Sequence, residues 1–158
     1  TDPSGTDDRY VADSARIHDT AVLHPPVVVA PDAVIGPNAV VGPSTAIGQN
    51  ATINAGAVIS RSVLDADVRI GANATIADSV VGQRGRVGAG AVIDAETTDV
   101  RVGDTIHRDV RLGAVVADGA RLDQGVVVTP GSLIGPDAHV HPGSFVDGNV
   151  GEGVEVRR

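Results

Sequence analysis

An aliphatic residue returns every six positions through the first half of this chain, at Val29, Ile35, Val41, Ile47, Ile53 and Ile59. Four residues after each comes a small or short side chain: Ala33, Ala39, Thr45, Ala51, Ala57 and Val63. An internal period constrains the fold more tightly than composition does. Six is not a helical interval, because amphipathic helices space apolar residues by three and four. It does fit a short strand followed by a corner. Side chains two apart on a strand share a face, so the small residue and the next aliphatic point inward and the residue between them points out. After the aliphatic comes Gly36, Gly42, Gly48 or Asn54, and prolines recur in the same stretch at Pro31, Pro37 and Pro43. Glycine accepts positive φ and proline presets φ for a turn, so these positions are expected to bend the chain.

Three strand-and-corner units close a triangle, and stacked triangles hydrogen-bond as parallel sheets with strands ~4.8 Å apart. The pattern therefore predicts an all-β, single-stranded parallel β-helix of about eight triangular coils over residues 11–156, preceded by a linker or cap at 1–10. A solenoid lengthens by adding coils, so the chain's 158 residues form one domain with one continuous core. With no Cys, Met or Trp, one Tyr and one Phe, that core must be built from valine, isoleucine and alanine. Absence of cysteine also excludes a disulfide framework and a thiolate metal site.

No run of eighteen apolar residues and no signal-peptide pattern appears, and the chain reads as soluble, cytoplasmic and without a membrane partner. It starts at Thr1 rather than Met, so an upstream part is expected. Twenty acidic residues face twelve basic ones, every one of them arginine, for a net charge of −8. That balance argues against nucleic acid as a partner. A lysine-free acidic surface suits a high-salt cytoplasm such as a halophile's.

The period has three irregularities. Two hexads, Ile59 to Leu64 and Ile76 to Val81, are one residue short; they lie 17 residues apart and should fall on one corner of consecutive coils. From Asp94 to Arg111 the hexad phase is lost, and the segment is expected to be a loop leaving the prism, a place where function concentrates. The period restarts near Leu112 and Val116, continues through Leu122, Val128, Ile134 and Val140, and frays after Val146.

The residue just before each aliphatic points to solvent. One side then presents Arg16, Val34, Thr52, Arg69 and Arg86, a mixed set suited to water. The next presents Val22, Val40, Val58, Thr75 and Val92, an apolar ladder whose confinement to one side marks it as a self-association face. Of the five histidines, His18, His24, His139 and His141 should lie on the outside, none stacked on another at eighteen residues. His139 and His141 lack a third ligand, so no metal site is expected. His107, in the 94–111 segment, is the only histidine placed to act as a general base toward a neighbouring coil, and it is the single weak catalytic candidate.

The hexads resemble those of the hexapeptide-repeat transferases, which implies left-handed coils and assembly as a homotrimer. More narrowly, ADSVVGQRGRVGAGAVIDAE, an irregular segment, and then RLGAVVADGARLDQGVVVTPGSLIGPDAHVHPG resemble the C-terminal half of archaeal sugar-1-phosphate nucleotidylyltransferases. In bifunctional members that half also transfers acetyl from acetyl-CoA to a sugar amine. Where such members carry a histidine and a tyrosine, this chain has Ala72 and Thr75; where they carry a catalytic asparagine, it has Ala95; their lysines are absent. Methyl groups cannot act as a base or position a substrate.

The resulting expectation is a trimerising scaffold without a cofactor of its own, attached to an N-terminal nucleotidylyltransferase domain that lies outside this sequence. The alternative is an acetyl-CoA-dependent sugar acyltransferase with its site between subunits near 94–111 and His107 as base. A metal-centred hydratase would need three convergent histidines, which the spacing does not offer.

Overall fold

Strands of two or three residues, most ending on or next to a repeating aliphatic, make up nearly all of the regular structure. A computed structural model describes residues 8–158. Within it the strands stack into two eight-stranded parallel sheets and one seven-stranded parallel sheet, the three sides of a β-helix. The register is the one the period requires: Ile17 pairs with Ile35, Ile35 with Ile53, and Ile53 with Ile70. Backbone amides bond from coil to coil, as from Val34 N to Ala51 O and from Val58 N to Ala74 O, each 2.9 Å. No helix of the described residues is long and apolar enough to cross a membrane.

The core is a column of aliphatics with alanines between them. Ile35, Ile47, Ile53, Ile59, Ile70, Ile76 and Ile93 are buried to within 1% of complete, as are Ala33, Ala39, Ala51, Ala57 and Ala74. Each buried isoleucine contributes about 1.5–3 kcal/mol relative to exposure. No aromatic residue enters the column; Tyr10 and Phe145 both lie outside it, exposed.

The corners are built differently from the expectation. At most of these corners positive φ falls two residues after the glycine position, at Asp32, Asn38 and Asn50 (φ 61°, 58° and 56°), whereas at Gly42 the glycine itself takes φ 107°. Gly36-Pro37-Asn38-Ala39 has proline at the second position and Asn in the left-handed region at the third, closed by Ala39 N to Gly36 O at 3.4 Å, as a type II turn requires. The glycine serves close approach instead. A Cβ on Gly48 would sit 2.5 Å from the Asp65 carbonyl carbon of the next coil.

Both shortened hexads fall on the edge between the seven-stranded sheet and the sheet that carries Leu64 and Val81. There the missing residue shifts the phase, so Ser62 turns inward and Val63, expected as an inward partner, faces solvent. Ser62 Oγ donates to Ser60 O at 2.8 Å and accepts from Ser79 N at 3.1 Å. Ser79 Oγ repeats this, donating to Ala77 O at 2.7 Å and accepting from Ala114 N at 3.0 Å.

The 94–111 segment leaves the prism at this same edge, but it is not an irregular loop. Glu96–Val102 and Thr105–Leu112 form an antiparallel hairpin with a register shift between Thr98 and Val100. Gly103, at φ 60°, occupies the first position of its two-residue Gly103-Asp104 turn, as in type II′ hairpins. The ends also depart from the period. Arg9–Val11 pairs with Val27–Val29, so the first coil starts within the segment expected as a linker or cap, whose residues 1–7 lie outside the described residues. At the other end the coil does not fray: Asn149–Val150 and Glu155–Val156 continue two of the sheets.

Candidate functional site

The outward ladders give the prism three chemically distinct faces. The valine face runs in register through Val22, Val40, Val58, Thr75 and Val92, and extends beyond the sequence expectation to Val127 and Phe145. Phe145 is 65% exposed. The apolar surface is not confined to this side. A second ladder, the tyrosine face, stacks Tyr10, Val28, Ala46, Val63, Val80, Val115 and Leu133. Leu133 and Val63 are 48% and 49% exposed. This second ladder escapes a strict six-residue count because the shortened hexads move Val63 and Val80 out of phase. The two apolar faces share the edge from which the hairpin projects.

The third face is polar throughout much of its length: Arg16, Val34, Thr52, Arg69, Arg86, Arg121, His139 and Glu155. Arg69, Arg86 and Arg121 line a shallow cleft of about 290 Å³ together with Asn54, Asp123 and Gln124. Along the adjoining corner a second row stacks Asp123 on His141, because Asp123 N bonds Val140 O and His141 N bonds Val156 O. Asp123 Oδ2 lies 2.6 Å from His139 Nε2, and its Oδ1 accepts from Arg121 Nε at 3.0 Å. The His139 and His141 rings stack at 4.1 Å, and His141 Nε2 lies 3.7 Å from Glu155 Oε2. Burial pushes the Asp123 carboxyl up, but the bonds and charges of His139 and Arg121 outweigh it and hold the group below its usual value. The sequence reading left His139 and His141 without a third ligand; the fold brings Asp123 to them.

The hairpin places His107 opposite Val100, exposed, with no side-chain hydrogen bond or ion pair among the described residues. The hairpin is anchored instead at its base. Asp78, on a shortened corner, accepts from Arg61 Nε at 2.9 Å and from Arg111 Nε at 2.7 Å. Burial raises the Asp78 carboxyl, and the two arginines more than reverse this, leaving it below 3.8. Of the three positions that the resemblance set against polar residues, Thr75 sits on the valine face, Ala72 on the corner before it and Ala95 at the hairpin's base. His18 and His24 are exposed and far in sequence and coil from the Asp123 cluster.

The family model for the GMPPB C-terminal domain matches residues 23–150. The chain belongs to the GMPPB C-terminal domain family. Among curated proteins no sequence match is found. Solved structures similar to this GMPPB C-terminal domain include the UDP-N-acetylglucosamine acyltransferase from Campylobacter jejuni, at 24% identity and TM-score 0.53 over 89% of this chain and 64% of that one. A Francisella novicida UDP-N-acetylglucosamine acyltransferase matches at 19% identity and TM-score 0.52, over 93% and 60%. The acetyltransferase domain of PglB from Neisseria gonorrhoeae FA1090 matches at 20% identity and TM-score 0.50, over 87% and 54%. The chain spans between about half and two thirds of those structures, and the likeness is one of fold.

Proposed function

We propose that this β-helix is an assembly module: it joins copies of its own chain through the valine and tyrosine faces and performs no acetyl transfer itself. The observation that carries the reading is the pair of apolar ladders sharing one edge. Exposed apolar strips of this length favour burial against protein. A closed ring with cyclic symmetry needs two different patches on each subunit, one for each neighbour. Two unlike apolar faces supply them and leave the arginine face in water. A ring of three follows the resemblance to the hexapeptide-repeat transferases. The nucleotidylyl chemistry then belongs to an N-terminal domain of the longer protein, in a cytoplasm whose high salt suits the acidic, lysine-free surface.

The absence of acetyl transfer follows from Ala72, Thr75 and Ala95: two methyl groups and a ladder threonine stand where the reaction needs a base and a positioning amide. The acyltransferase alternative rests on His107, which the hairpin carries away from the prism. Calorimetric titration with acetyl-CoA in molar salt, with mass by light scattering on the same sample, decides between them. A trimer that ignores acetyl-CoA is the expected result. Saturable binding that weakens in His107→Ala would move the chemistry to the subunit interface and overturn the scaffold reading.

A further inference from the structure

We propose that Asp123, His139 and His141 form a binding site for a divalent transition-metal cation of the Zn²⁺ type, which clamps the last coils of the arginine face together. The three residues can each present one ligand atom, and those atoms lie within 4.8 Å of one another. Donors ~2.0–2.2 Å from a tetrahedral ion stand about 3.3–3.5 Å apart, so modest side-chain rotation closes the cluster on a cation. Two imidazoles and a carboxylate suit zinc and its first-row neighbours rather than calcium or magnesium, which prefer oxygen alone.

Three further observations point to a ligand. His141 Nε2 is sealed from solvent yet makes no hydrogen bond, the state of a lone pair or N–H without a partner. All three side chains are mostly covered, with Asp123, His139 and His141 at 17%, 26% and 28% exposure. Arg121 holds Asp123 by Oδ1 while Oδ2 faces His139, which is how a neighbouring donor orients a ligating carboxylate. The cation takes the place of the hydrogen bond between Asp123 Oδ2 and His139 Nε2, with the His139 ring N–H carried on Nδ1. Glu155, 3.7 Å from His141 Nε2, or a water completes four-coordination.

Such an ion ties together consecutive coils at the end of the solenoid, where a coil has a neighbour on one side only. The site lies on the polar face and is complete within one chain, so it is independent of how the apolar faces assemble.

The test is calorimetric titration of the untagged chain with ZnCl₂, followed by the visible spectrum of the Co²⁺ form. One Zn²⁺ per chain, a four-coordinate Co²⁺ spectrum and slower amide exchange over Asn149–Val156 are expected. Asp123→Asn and His141→Gln, checked for an intact β-spectrum, should each weaken binding at least about a hundredfold, since changes one shell further out already cost about 10–100-fold. A His18→Ala/His24→Ala variant should bind as wild type. The site is refuted by an absence of saturable binding, by binding unchanged in both ligand variants, or by binding lost in the His18/His24 control.

Discussion

Arg111 donates its Nε to Asp78 at 2.7 Å, tying the base of the protruding hairpin to a shortened corner of the coil before it. Arg61, one coil further back, holds the other oxygen of the same carboxylate at 2.9 Å. One edge of the prism therefore carries an Arg–Asp–Arg stack across the place where the chain leaves the solenoid and returns. Asp78 is 12% exposed, so its carboxylate depends on these partners.

Replacing Asp78 with Asn removes the charge and leaves the shape. Hydrogen bonds to charged groups are worth ~1.5–3 kcal/mol when covered, and the half-exposed arginines reduce this to about 1 kcal/mol here. Amides of Val100 and Val110 should exchange faster in the variant. The pH dependence has a definite sign. The Asp78 carboxyl is held below its usual 3.8 in the fold, so its contribution is complete above that value and lost as pH falls through the lower folded value. Wild-type hairpin protection should therefore fall in acid, and Asp78→Asn should lack that step. Equal exchange rates in both proteins at neutral pH would show that the stack does not hold the hairpin.

Ser79 supports the same edge from inside. Its hydroxyl donates to Ala77 O within the shortened corner and accepts from Ala114 N, the bond that bridges this corner to the coil that resumes after the hairpin. Ser79→Ala strands a buried N–H, which costs about 1–3 kcal/mol. Urea unfolding at neutral pH measures this, and a change below about 0.5 kcal/mol, the range of ordinary surface substitutions, would contradict it.

Two glycines separate close approach from backbone freedom. Gly48→Ala puts a methyl carbon 2.5 Å from backbone of the next coil, so coils must part and stability should fall by about 1–3 kcal/mol. Gly90, at φ 67°, has nothing within 4 Å of its missing Cβ. Asn adopts that conformation at the equivalent corners Asn38 and Asn50, so Gly90→Asn should stay within about 0.5 kcal/mol of wild type. Thermal midpoints in the same reverse order would reject this division of roles.

The coils were legible in the sequence because each side chain's direction follows from its place in a strict hexad, and Ile35, Ile53 and Ile70 stack where the count places them. What was hidden depends on events that break the count. One deleted residue turned Ser62 inward and Val63 outward, which concealed the tyrosine face until the register was seen. The hairpin had a local signal, a Gly103-Asp104 pair between alternating strands, but it carries no hexad phase. The third member of the histidine cluster was also within reach: Asp123 precedes His141 by one full coil of eighteen residues, a spacing visible only when carboxylates are stacked along with histidines.

The two apolar faces make opposite demands on the assembly, depending on its symmetry. A two-fold interface pairs one patch with itself, so substitutions on the valine face alone would abolish it and those on the tyrosine face would be silent. A ring joins unlike patches, so damage to either face opens it. Val40→Arg with Val58→Arg places two cations on the valine face; Val63→Arg with Val80→Arg does the same on the tyrosine face. All four side chains point outward, so the coils should fold with unchanged circular dichroism. Both double variants are expected to be monomers by light scattering in molar salt, where charge repulsion is screened within ~3 Å and only the cost of burying arginine remains. A monomer from the valine-face pair alone would replace the ring with a two-fold dimer, and a trimer from both would move the interface off the apolar faces altogether.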